Sequence, residues 1–136
     1  MAKFVLKATQ VTVNAVNLSD WCSSATLEFE VEDQDATTFG SEGWSEVLGG
    51  LKSGTLSLTF KQDFAAGAVD ATLWPLLGEV TTFSLKATDA ATSATNPVYS
   101  GSVMVAGYSP VAGDVGAIAE MEVEFPTSGP ITRAVA

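Results

Sequence analysis

"TLSLTFKQ", residues 55–62, alternates apolar and polar side chains without a fault: Leu56, Leu58 and Phe60 against Thr55, Ser57, Thr59 and Lys61. In an extended strand successive side chains point to opposite faces, so the apolar three share one side and the polar four the other. The same period appears upstream in "LEFEVE", residues 27–32, with Leu27, Phe29 and Val31 on one face and Glu28, Glu30 and Glu32 on the other. It appears again downstream in "EMEVEF", residues 120–125, where Glu120, Glu122 and Glu124 oppose Met121, Val123 and Phe125. Two strands therefore carry polar faces made only of glutamate.

Outward from these, residues 3–7 (KFVLK) and 11–15 (VTVNA) read as short strands or a hairpin, and further strands are expected over 81–87, 98–108 and 117–126. Pairs such as Asn96-Pro97 and Ser109-Pro110 punctuate them, and "PITRAV" at 130–135 is a candidate edge strand. One segment has helical spacing. Over residues 66–77, Val69, Leu73, Trp74 and Leu77 recur three and four apart, with Asp70 or Gly67 placed to cap and Gly78 to stop the helix. Proline inside a helix costs about 3 kcal/mol, so Pro75 predicts a short helix ending or kinking near Trp74. Between Asp33 and Gly54 alternation lapses, which predicts a long loop at 33–54 carrying Phe39 and Trp44; loops of this length are usually functional. Seven or eight strands and one helix in 136 residues imply a single domain, 1–136, mainly β: an antiparallel sandwich or barrel with one flanking α-helix.

Composition narrows the function. Sixteen acids against six bases give a net charge of −10, which disfavours binding to nucleic acid or to anionic lipid. No stretch approaches the roughly 20 apolar residues of a membrane span, and residues 1–13 lack a signal-peptide core. The reading is a chain made and kept in a cytoplasm, with the single Cys22 as a small buried apolar residue. The absence of histidine removes Ser-His and Cys-His nucleophile activation and the commonest zinc ligand. No catalytic, metal or cofactor site is expected.

Motif fragments do not change this. "GGLKSG", residues 49–54, has Leu51 and Glu46 where a phosphate loop needs glycine, and reads as a turn. The stretch from Asp33 begins like a calcium loop but puts Thr38 at the glycine position and Trp44 at the bidentate glutamate, which excludes an EF-hand and leaves only a looser cation site open. Asn17-Leu18-Ser19 and Asn96-Pro97-Val98-Tyr99 match a glycosylation sequon and a peptide-docking motif by chance-level patterns. Carboxylate pairs for glycoside hydrolysis can be drawn from the ladders, without aromatic platforms beside them. For the ladders themselves two readings stand. They are either an ordinary solvated face or a deliberate acidic wall. Glutamate is a mediocre strand former, and the chain uses Thr and Ser freely on its other polar faces, which favours the wall.

Residues 35–78, "DATTFGSEGWSEVLGGLKSGTLSLTFKQDFAAGAVDATLWPLLG", resemble the tail tube, or major tail, proteins of long-tailed bacteriophages of actinobacteria. Residues 96–134, "NPVYSGSVMVAGYSPVAGDVGAIAEMEVEFPTSGPITRA", are similar to the C-terminal half of that family. The resemblance rests on ordered blocks: Thr-Thr-Phe-Gly, Gly-Leu-Lys-x-Gly before a strand, Asp-Ala-x-Leu-Trp in the helix, and Asn-Pro-x-Tyr-Ser-Gly. It implies a β-sandwich subunit assembling six to a ring, with rings stacked into a hollow tube, as in type VI secretion tubes. DNA would pass through the bore as repelled cargo, and Glu28, Glu30, Glu32, Glu120, Glu122 and Glu124 are the candidate lumen-facing acids. Thr38, Phe39, Gly40, Trp44 and Leu51 are the candidate contacts between subunits or rings, the rival reading being that Phe39 and Trp44 cover the subunit's own core. The implied partners are further copies of the chain, a tape measure protein, and terminator and distal tail proteins at the tube ends. The implied location is the virion, with no membrane and no enzymatic activity. A capsid decoration or receptor-binding sandwich is the alternative.

Overall fold

The computed structural model describes Lys3 and residues 5–135. In chain order the elements are β1 (Gln10–Val13), β2 (Val16–Asn17), β3 (Cys22–Asp35), a 3-10 turn (Phe39–Ser41), β4 (Val47–Lys61), α1 (Val69–Leu73), a second 3-10 turn (Trp74–Leu76), β5 (Val80–Lys86), β6 (Val98–Met104), β7 (Glu120–Pro126) and β8 (Thr132–Ala134). They form two antiparallel sheets, one of five strands in the order β2-β1-β5-β6-β8 and one of three in the order β3-β4-β7. The expected mainly β sandwich with one short helix is what the chain forms.

Alternation explains why the sheets stack. Leu56, Leu58 and Phe60 of β4 and Met121, Val123 and Phe125 of β7 are all buried against Val11 and Val13 of β1, Phe83 of β5 and Val103 of β6. Burying each such side chain contributes about 1.5–3 kcal/mol. The helix closes one end of this core through Val69 and Leu73. It ends at Trp74 and passes into the 3-10 turn, because Pro75 has no amide to continue the ladder. The N-cap is Ala68 without a side-chain cap; Asp70, one of the two expected caps, instead accepts a 2.7 Å hydrogen bond from the Tyr108 hydroxyl.

The N-terminal strands differ from expectation. Of the strand expected at 3–7, Phe4 lies outside the described residues, and residues 5–7 are not strand. The hairpin is instead β1–β2, turned by Asn14 (φ 51°) and Ala15 (φ 63°), a two-residue left-handed turn whose twist matches the strands it joins. Cys22, expected buried, is half-buried on β3, where partial burial pushes its thiol pKa up. The C-terminal segment does add an edge strand, β8 against β6, seated where Gly101 leaves room for Ile131; a Cβ there would run into the Ile131 side chain.

The largest correction concerns residues 33–54. They are strand for half of their length: β3 runs on to Asp35 and β4 starts at Val47, so the loop is 36–46 and "GGLKSG" lies within β4. β4 pairs with β7 only from Thr55 to Lys61, whereas its pairing with β3 continues to Val47↔Asp35. Beyond Gly54 the two strands form a free ribbon, which at about 3.4 Å per residue projects roughly 24 Å past the sandwich. Both faces of this arm are exposed, so no buried side enforces alternation there.

Candidate functional site

The three-stranded sheet brings the two glutamate ladders onto one surface. β4 lies in the middle, with β3 on one side and β7 on the other. The register pairs Glu28 with Thr55 and Glu30 with Ser53, while Glu124 pairs with Ser57, Glu122 with Thr59 and Glu120 with Lys61. The residues of β4 that face into the core are Leu56, Leu58 and Phe60, so all of these partners point away from it, and all six glutamates are exposed. Acidic and neutral strands are thus interleaved within one chain.

The interleaving limits repulsion. Strands lie about 4.8 Å apart, so the β3 and β7 ladders are held roughly 10 Å from each other by a strand of Thr and Ser. That is about one Debye length at physiological ionic strength, which screens most of the interaction between exposed charges. Lys61 and Glu120 form an ion pair, the only one among the described residues, at the end of the face farthest from the arm. Glu28, Glu30 and Glu124 surround a shallow hollow floored by Ser53, Thr55 and Ser57. Hydroxyls and carboxylates line it together with Gly54, which suits water and mobile cations rather than a bound anion.

The second group of expected residues is at the tip of the arm. The tip is ordered by its own polar groups: the Glu46 amide donates to Thr37 Oγ1 at 2.8 Å, the Ala36 amide to the Glu46 carbonyl at 2.9 Å, and the Thr38 amide to Ser41 Oγ at 3.1 Å. The Thr37 amide and hydroxyl also hold the Asp35 carboxyl below its ordinary pKa. On this scaffold Thr38 and Gly40 are exposed, Phe39 is 106% exposed and Trp44 78%. The reading in which these aromatics cover their own core is thereby excluded for the isolated chain. Leu51, 78% exposed, is not on a loop but in β4, at the register shift opposite Val31 and Asp33.

Sequence reasoning missed a third feature. Where the arm leaves the sandwich, the two sheets part and leave apolar clefts of about 360 and 320 Å³ that share Phe29 and Tyr99 as lining residues. Lys52, from the segment read as a turn, lines the first of them.

No protein-family model and no curated protein sequence matches the chain. Solved structures share its fold, among them two from gene transfer agent particles. A chain in the virion of a native gene transfer agent particle superposes with a TM-score of 0.74 at 20% identity, over 93% of this chain and 95% of that one. A chain in the tail of an empty gene transfer agent particle, refined helically with C6 symmetry, superposes with a TM-score of 0.65 at 23% identity, over 82% of this chain and 81% of that one. At these identities the likeness establishes the fold: a mainly β, antiparallel sandwich with one short helix, similar nearly end to end to a chain of a gene transfer agent particle.

Proposed function

We propose that this protein is the tail tube subunit of a long-tailed phage: a non-enzymatic virion protein that closes into six-membered rings, which stack into a hollow tube for DNA. The observation that carries the reading is the placement of both glutamate ladders on one face of a sheet whose outer strands, β3 and β7, each have an edge unpaired among the described residues. Joining β3 of one copy to β7 of the next continues the sheet and keeps every ladder on the same side. Six copies give eighteen strands, and at a spacing of about 4.8 Å and a tilt of about 40° such a barrel has a backbone radius of about 18 Å. That bore passes a duplex with the glutamates pointing inward. The C6 symmetry of the similar tail supports the count.

A conduit must not bind its cargo. Each cation paired with a phosphate adds affinity through counterion release, and many such contacts per ring would arrest the DNA. A bore of carboxylates and hydroxyls repels phosphate and leaves both surfaces hydrated. The arm, with its exposed aromatics, then serves contacts to another subunit, and the tape measure, terminator and distal tail proteins meet the tube at its ends. The resemblance of residues 35–78 and 96–134 supports actinobacterial phages as the source. Negative-stain microscopy across rising protein concentration tests the proposal: rings or hollow tubes are the expected outcome. Particles that stay dispersed at every concentration would favour a decoration or receptor-binding sandwich instead.

A further inference from the structure

The tip of the arm and the cleft at its root are complementary. From Asp33 to Leu51 the chain carries Asp33, Asp35, Glu42 and Glu46 and no lysine or arginine, around the exposed Phe39 and Trp44. The cleft has the opposite character. Phe29, Tyr99, Pro130 and Ile131 give it apolar walls, while Lys52 and Arg133 line one part and Lys86 the other, against Glu30 as the acid. Lys86 donates to the Ala90 carbonyl, whereas among the described residues neither Lys52 nor Arg133 is in an ion pair. Both stand beside the apolar wall, Lys52 paired with Val31 across the ribbon and Arg133 with Tyr99 across the sheet edge. An acidic segment with aromatic anchors is the occupant this chemistry fits.

The tip cannot occupy the cleft of its own chain. Between them stand the ladder pairs Val31↔Lys52, Asp33↔Gly49, Gln34↔Leu48 and Asp35↔Val47, which a ribbon folded back on itself would have to break. We infer that the arm tip of one subunit docks into the root cleft of a second copy, Phe39 and Trp44 entering between Phe29 and Tyr99 and Glu42 and Glu46 meeting Lys52 and Arg133. The contact is head to tail, since each copy offers one tip and one cleft, and such contacts propagate around a ring or along a stack. The inference rests on the tube reading and names the surface that receives the arm.

Two charge-reversed full-length chains test it. Glu42→Lys/Glu46→Lys makes the tip basic, and Lys52→Glu/Arg133→Glu makes the cleft acidic; all four positions are exposed, so both variants are expected to fold, as circular dichroism will show. Alone, each places like charges at every contact and raises the concentration needed for ring formation by about tenfold or more. Mixed in equal amounts they assemble alternately, every basic tip meeting an acidic cleft and every native tip a native cleft, and sedimentation recovers assembly to within about twofold of the unmodified protein. Glu42→Gln/Glu46→Gln, which removes charge without reversing it, shifts assembly less. Reversed chains that assemble like the unmodified protein, or folded chains that fail to recover on mixing, would overturn the docking and leave the tube standing. An unmodified protein that forms no rings would overturn both.

Discussion

Lysine substitution along one ladder, Glu28→Lys/Glu30→Lys/Glu32→Lys, separates charge from shape as the reason DNA would pass the proposed bore without sticking. All three positions are exposed, and Glu28 and Glu30 lie opposite Thr55 and Ser53, so the new side chains meet no buried group. Folding stability is expected to change by no more than about 0.5 kcal/mol, as for surface substitutions generally. The protein's effect on DNA should invert. Three lysines spaced two residues apart along one strand span about 14 Å, a length over which a duplex offers several phosphates. With about three phosphates neutralised, log K falls with log salt at a slope near −2.7, so affinity drops about 40-fold between 50 and 200 mM salt. Fluorescence anisotropy of a short labelled duplex reads this directly, with the unmodified protein giving no signal at any salt. In assembled tubes the same variant should slow or stop DNA passage. A folded triple variant that ignores the duplex at low salt, or an unmodified protein that binds it equally, would refute the claim that carboxylates keep the bore passable.

Three further outcomes are expected. Leu58→Ala empties the centre of the sandwich, where Leu58 is 1% exposed, and should cost about 2–5 kcal/mol in urea unfolding. Phe39→Ala/Trp44→Ala should leave the unfolding midpoint of the monomer in place, because neither side chain is buried, while abolishing rings in the microscope. Burial first, and then the Asp70 carboxylate that its hydroxyl bonds, pushes the Tyr108 pKa up to about 12 from an ordinary value of 10. The unfolded chain therefore loses this proton before the folded one does, so the contribution is complete below pH 10 and disappears as pH rises toward 12. Urea midpoints measured across that window should fall for the unmodified protein and stay flatter for Tyr108→Phe; parallel curves would assign the loss to other groups.

What could be read beforehand follows from where the chain is buried. Residues 55–61 and 120–125 have one face in the core, so burial imposes period two and the strands are plain in the sequence. The helix break at Pro75 was equally legible, since the missing amide acts locally. The arm was not. Val47–Gly54 faces solvent on both sides, its three glycines mimic a turn, and the register shift between Val31 and Asp33 interrupts the pattern further. For the site, the glutamate ladders were visible but their common face was not, because it depends on β4 pairing with β3 and β7 at once, contacts far apart in sequence. The root cleft left no trace of its own: Lys52, Tyr99 and Arg133 belong to three strands, and nothing in the spacing joins them.

The acids of this sheet are confined to its outer strands, β3 and β7, while the central β4 carries none. An outer strand exposes a row of unpaired amides and carbonyls that any passing strand can template on. If such sheets are the subunits of the proposed tube, each of them meets its neighbours with two open sides before a tube begins to grow. Carboxylates on both margins make a chance encounter between two of them repulsive in most orientations, which on the proposed tube reading would raise the concentration at which rings begin to form. The proposed docking of an arm tip in a cleft would supply favourable contact that overcomes that repulsion in one orientation. On the proposed tube reading, the residues that line the channel would also hold its building blocks apart until they meet in the one productive orientation.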